Sequence, residues 1–269
     1  MRNVVLFIAM SLDGYIADIG EIWDDATKYL MGDMYDSVMN YMFRNAVTAY
    51  AMGGSSEQAT KELEKIRERY PEEAFYAMMN LVGSHDTARI LSYLDGIGDD
   101  RADKSLRAAF PTYQTTSDLA KQRQYMVAFL QFTYPGAPTI YYGDEIGMVG
   151  ADDPDDRRAM AWGTGNQELV EWYATLAAIR AACPALSTGA IVPLALGNTN
   201  LLSYVRSDAD NSLIVIGNNA QSAQTVSLNG TYVDLISGET CTGSGIFLAS
   251  RDNADRAQIA VIIYRYLSK

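Results

Sequence analysis

A change of rhythm near Ser187 constrains this chain more than any other feature. Before it, apolar runs rich in β-branched and aromatic residues take turns with stretches of helical periodicity. "NVVLFIAM", closing on the turn Ser11-Leu12-Asp13-Gly14, "YIADIGEIW", "SVMNYMF", "NLVGSHD" and "PTIYYGDEIG" read as strands. "SSEQATKELEKIRERYPEEAFYAMMN", broken at Pro71, "SDLAKQRQYMVAFLQFTYP" and "NQELVEWYATLAAIRAACPAL" read as helices with polar caps. A polar loop is expected between "NLVGSHD" and the second of these helices. Buried strands alternating with helices predict an α/β fold, a parallel sheet or TIM-type (β/α) barrel. After Ser187 short alternating strands take over: "LLSYVRS", "SLIVIGNN", "QTVSLNG", "YVDLISGE" and "AQIAVIIYRYL", punctuated by Asn-Gly and Ser-Gly. With no helical period, that stretch predicts an antiparallel β-sandwich beginning at 186–188.

With 269 residues, 48% of them hydrophobic, the chain can bury a substantial core. Its net charge of −12 and pI near 4.5 would repel a phosphate backbone, so nucleic acid is not the expected partner. Neutral substrates are compatible with that charge. The single histidine, His85, argues against a zinc site, and nothing calls for a cofactor. Cys183 and Cys241 lack metal-ligand spacing and read as ordinary thiols. The opening "MRNVVLFIAM" is too short to span a bilayer, and Tyr15 sits where a signal peptide needs a small residue. No membrane is expected, and the location expected is cytoplasmic.

In parallel α/β folds, reactive groups gather at the carboxyl ends of strands. Here such ends carry Glu21, Asp86 and the pair Asp144/Glu145, with Trp23, Tyr141, Tyr142 and Trp162 nearby. Carboxylates beside aromatic platforms suit a carbohydrate: sugar faces stack on rings, and carboxyl groups do the acid and nucleophile work. Each residue also has a plain structural reading. A strand-end Asp or Glu serves as a helix cap or solvated loop residue, a lone His as a structural group, and the tyrosines as packing.

"GEIWDDA", "SVMNYMF", "MNLVGSHDTARIL", "FTYPGAPTIYYGDEIGMVGADDPDDRRAMAW" and "AAIRAACPAL" follow in the order and spacing of the α-amylase family. The chain from Ile19 onward resembles the second half of its neopullulanase, cyclomaltodextrinase and maltogenic-amylase members. The resemblance implies a (β/α)₈ barrel followed by a β-sandwich, with retaining hydrolysis of α-glucosidic bonds in short α-glucans, cyclodextrins or small α-glucosides. It implies Glu21 as general acid/base and Asp86 as the carboxylate that grips sugar hydroxyls and stabilises the transition state. It also implies His85 bonded to the same ring, Trp23 stacked at the leaving-group side, and Asp153 with Arg157 holding a further sugar. For that last loop, a mutually neutralising surface network is the alternative.

The sequence departs from the family in lacking its first four strands and the G-x-R-x-D motif that carries the nucleophilic aspartate. A retaining glycosidase needs two carboxyl groups roughly 5 Å apart, so weak or altered turnover is expected. Asp13, or Asp24, Asp25 or Asp144, is the candidate substitute; Asp13 is otherwise a turn residue before Gly14. The segment "MRNVVLFIAMSLDGYIAD" resembles the start of bacterial dihydrofolate-reductase-like proteins. The expected organisation is therefore a chimera: a reductase-like strand and loop over 1–18, a partial (half) barrel over 19–186, and the sandwich over 187–269. An inactive carbohydrate-binding remnant is the first alternative and an NADPH-dependent reductase a distant one. Four or five strands cannot close a barrel alone, so a homodimer or larger assembly is expected.

Overall fold

The computed structural model describes residue 27 and residues 30–32, 35–97, 116–228, 230–242, 246–248 and 260–265. Glu21, Trp23, Asp13, Asp24 and Asp25 lie outside the described residues, as does the stretch likened to reductases.

The first half is built on parallel backbone. Strand β1 (Met79–Leu81) pairs in parallel with β2 (Ala137–Thr139), and Met39 makes a parallel bridge to Met79 on its other side. The bonds Met79 N–H to Val38 O (3.0 Å), Asn40 N–H to Met79 O (2.8 Å) and Ala137 N–H to Met78 O (2.7 Å) stitch the three segments together. Their carboxyl ends therefore open on one side, where the loops after Leu81 and Thr139 lie.

Helix α1 (Tyr41–Ala51) begins where a strand was expected. "SVMNYMF" is extended only at its start; Asn40 then caps a helix by accepting from Phe43 N–H at 3.0 Å. Asn is a strong N-cap, and it outweighs the strand preference of the aromatic residues that follow. Helices α2 (Ser56–Arg69) and α3 (Glu72–Ala77) are separated at Pro71, as its missing N–H requires. The expected polar loop after "NLVGSHD" instead holds a short helix, α4 (Ile90–Leu94), whose apolar residues are buried.

Helix α5 (Asp118–Thr133) is capped by Ser117, whose hydroxyl accepts from Ala120 N–H. From Gln124 to Thr133 every residue is buried. A helix covered on all sides must be central, and α5 is: the Gln131 side-chain Nε2 donates to Asn80 O and Thr139 O, both at 2.8 Å. One amide thus locks the helix to β1 and β2 together. Helix α6 (Gln167–Ala182), capped by Asn166, packs Trp172 edge-on to Tyr125 of α5, and its indole N–H donates to Tyr125 O at 3.0 Å. The short helix α7 (Pro184–Thr188) follows.

The remaining strands are β3 (Ala190–Pro193), β4 (Leu201–Ser207), β5 (Ser212–Asn218), β6 (Gln224–Val226), β7 (Thr231–Asp234), β8 (Thr240–Thr242), β9 (Ile246–Leu248) and β10 (Ala260–Arg265). They form a six-stranded antiparallel sheet in the order β3-β4-β5-β10-β7-β8 and a separate antiparallel pair, β6-β9. The large sheet docks on the helices through Leu202, Tyr204, Leu213 and Val215, which belong to the same core cluster as α1 and α5. The sheet comes close at that junction: a Cβ at Gly217 would lie 2.9 Å from the Met126 sulfur, and that flexible side chain would have to move aside.

Candidate functional site

The loop after β1 carries the Ser-His-Asp-Thr sequence in a tight turn. Ser84 N–H donates to the Thr87 hydroxyl at 3.3 Å, and Asp86 N–H donates to the Ser84 hydroxyl at 3.1 Å. Tyr41 of α1 meets the same Ser84 hydroxyl at 3.1 Å. These bonds fix the direction in which His85 and Asp86 leave the backbone, and both side chains stay partly exposed.

Asp86 is the meeting point. His85 Nε2 lies 3.4 Å from one carboxylate oxygen and Arg157 lies 3.8 Å from the other. Arg157 reaches back to Asp153 at 3.1 Å. Four of the residues expected from sequence, His85, Asp86, Asp153 and Arg157, are therefore contiguous at the carboxyl end of the parallel strands. The neighbouring acid–base pair behaves differently: Asp155 accepts from Arg158 at 2.9 Å and from Ala151 N–H at 2.7 Å, so it holds its own loop in shape. The acidic loop is thus divided between a self-neutralising pair and a pair directed at Asp86.

Asp144 is corrected by the structure. Its side chain is 0% exposed and its nearest cation is Arg89, at 3.4 Å. A carboxylate sealed from solvent in this way is unsuited to attack a sugar, so it drops out as a substitute nucleophile. Gly83 marks how closely it is packed: a Cβ at that position would lie 2.2 Å from an Asp144 oxygen. Glu145 accepts from Gly143 N–H at 2.8 Å and caps its own turn. Tyr142 is partly exposed and its hydroxyl donates to Arg158 O at 2.8 Å, while Trp162, 83% exposed, stands in open solvent. Among the described residues, no cluster of His, Cys, Asp and Glu is placed to hold a metal ion, and no helix is long and apolar enough to cross a membrane. A cavity of about 490 Å³ lies between α1 and α2, bordered by Met42, Ala46, Ala49 and Lys65; none of the expected site residues borders it.

Two buried carboxyls in this region resist ionisation. Burial pushes Asp144 up to about 7 against the pull of Arg89. Burial likewise raises Asp156 to about 7, with Arg157 opposing and Asp153 and Asp152 reinforcing. In the unfolded chain both would titrate near 3.8. The folded form therefore binds protons more tightly, and the stability these groups contribute is complete below pH 3.8 and is lost as pH rises to about 7. Asp156→Asn is expected to leave stability nearly unchanged at pH 4 and to raise it at pH 8 by on the order of 2 kcal/mol. Thermal melts across that range check this; an equal offset at both ends would remove Asp156 as the titrating group.

The sequence profile of the "Alpha amylase, catalytic domain" family matches residues 8–176. The chain belongs to the α-amylase family. Neopullulanase 2 of Thermoactinomyces vulgaris is 38% identical over 236 residues, covering 84% of this chain and 36% of that protein. A cyclomaltodextrinase of a Bacillus sp. is 34% identical over 234 residues, covering 85% of this chain and 38% of the relative. The chain thus spans little more than a third of the length of these relatives. Among solved structures, a cyclomaltodextrinase superposes with a TM-score of 0.73 at 28% identity, over 91% of this chain and 39% of that one. The type III pullulan hydrolase of Thermococcus kodakarensis gives the same TM-score, 0.73, at 25% identity. The parallel strands and their helices are accordingly part of the TIM-barrel-type fold of the α-amylase family. The family match begins at residue 8, within the segment likened to reductases.

Sequence reasoning passed over Arg89. It lies within "SHDTARIL", three residues beyond Asp86, and is 0% exposed. A basic residue between Ala88 and an apolar run was the available signal.

Proposed function

We propose that this α-amylase-family chain hydrolyses α-glucosidic bonds in short α-glucans, cyclodextrins or small α-glucosides. The observation that carries this reading is the contact of Asp86 with both His85 and Arg157 at the open end of the parallel strands. An anionic carboxylate flanked by two donors can accept from sugar hydroxyls while the donors bind neighbouring ones, and its charge favours an oxocarbenium-like transition state. Asp153, held by Arg157, would extend the grip to a further sugar. Glu21 is assigned as the general acid/base and Trp23 as a stacking platform. Within the 269 residues Asp13 is the speculative nucleophile beside Glu21.

The stretch 187–269 is read as a β-sandwich. What supports this is the small core of Leu201, Ile216, Val226 and Tyr232, to which both the six-stranded sheet and the β6-β9 pair contribute.

The deciding experiment is turnover of β-cyclodextrin, pullulan and an aryl α-glucoside panel, with Glu21→Gln as control. Hydrolysis that falls at least about 10²-fold in the variant is the expected result, the loss typical of a general acid. Sugar binding without hydrolysis in either protein would make the chain a carbohydrate-binding relative instead.

A further inference from the structure

Arg89 is buried at the junction of the loops that bear the sugar-contacting groups. It belongs to the loop of His85 and Asp86. Its Nε donates to Asp156 O at 2.7 Å, in the acidic loop of Asp153 and Arg157. Its Nη1 donates to Tyr142 O, in the loop after β2, and faces Asp144 at 3.4 Å. The guanidinium carbon stands 4.2 Å from the Tyr141 ring centre and 4.5 Å from that of Tyr142. Its own N–H donates to Gly150 O at 3.1 Å, tying in the start of the acidic loop. A planar, forked cation is the one side chain that makes two directed bonds while lying against two rings.

We propose that Arg89 is a positioning residue for the site: it sets the distance between Asp86 and the Asp153/Arg157 pair by joining the three loops through one guanidinium. This rests on the glycosidase reading for its functional consequence, but the loop geometry stands apart from it. Arg157 meets Asp86 at 3.8 Å, longer than a hydrogen bond, so that distance depends on how the acidic loop is anchored. The anchors supplied by Arg89 are Asp156 O and Gly150 O, on either side of Asp153. Lysine retains the charge at this position, but its single point donor has neither the fork nor the plane.

The test is Arg89→Lys, measured by hydrogen–deuterium exchange and by KM and kcat on β-cyclodextrin. Exchange is expected to rise at least about tenfold in residues 84–87 and 151–158 and to stay at the parent level in β4 and β5. For the folded variant kcat/KM is expected to fall about 10²-fold, the scale of a roughly 1 Å misplacement. A lower melting temperature with kcat/KM within twofold of the parent would overturn the proposal, as would unchanged exchange in 151–158. If the parent hydrolyses nothing, the glycosidase reading fails and the exchange result alone still decides this proposal. Should Arg89→Lys not fold, Tyr142→Leu serves beside Tyr142→Phe, which loses only the hydroxyl bonded to Arg158 O and keeps the ring under Arg89: exchange in 151–158 is expected to rise further in the leucine variant than in the phenylalanine one. Equal exchange in 151–158 for those two variants would likewise overturn it.

Discussion

On the proposed hydrolysis, Asp86→Asn is expected to lower kcat on β-cyclodextrin by about 10³-fold, the upper range for removing one preorganised group aimed at developing charge. Asparagine preserves shape and one acceptor, so the loop that presents it should persist. The Asp86 N–H to Ser84 and Ser84 N–H to Thr87 bonds do not involve the carboxylate. What disappears is the negative charge between His85 and Arg157. Those donors would then face an amide, and the positive charge building on the sugar would lose its counter-charge. Because that charge exists mainly in the transition state, the loss should fall on kcat, with KM moving by less than about tenfold. Steady-state kinetics of the two proteins check this. A fall confined to KM would make Asp86 a ground-state ligand only; kcat within a few-fold of the parent would take it out of the chemistry.

How much of this could be read without coordinates depended on where the controlling interactions lie. Strand β4 matches the stretch "LLSYVRS" residue for residue, because its pattern and flanking turns are local. Helices α5 and α6 announce themselves through Ser117 and Asn166, each capping with its own side chain. The break between α2 and α3 follows from Pro71 alone. Helix α1 departs from the strand pattern because an apolar run with aromatic residues fits either state, and Asn40, the residue that settles it, sits inside the run. At the site, adjacency in sequence gave His85 and Asp86, and the family resemblance gave Asp153 with Arg157, but the approach of Arg157 to Asp86 is a tertiary fact that neither carried. Asp144 shows the opposite failure. A carboxylate at a strand end carries the same local signature whether it faces a substrate or a buried arginine, and burial is decided by Arg89 and Gly83 from other segments.

The second large effect concerns the seam between the helices and the antiparallel sheet. Tyr50, in the last turn of α1, is 1% exposed. Its hydroxyl lies 2.7 Å from Asn200 O and 2.6 Å from Gly217 O, with one proton to share between them, and it accepts from Leu202 N–H at 3.0 Å. Tyr50→Phe keeps the ring and nearly all the buried apolar area, so little packing is lost. It leaves the Leu202 N–H without this acceptor and the two carbonyls without this donor, in a place already lined by Met126 and the face of β5. Asn200 O keeps the bond it accepts from Asn219 N–H at 3.0 Å, so the cost falls on Leu202 N–H and Gly217 O; a buried polar group left short of a partner costs about 1–3 kcal/mol. The expected destabilisation is therefore about 3 kcal/mol, a fall of roughly 8 °C in Tm for a chain of this size. Denaturant unfolding and thermal melts of the two proteins give the number. The neighbouring bonds that the Asn219 side-chain amide donates to Tyr50 O and Gly54 O, both 2.7 Å, do not involve the Tyr50 hydroxyl and survive the substitution, so the seam should weaken without opening. A cost below about 0.5 kcal/mol would mean that the sheet edge shifts to recover its own pairing, and that this hydroxyl does not fasten the helices to it.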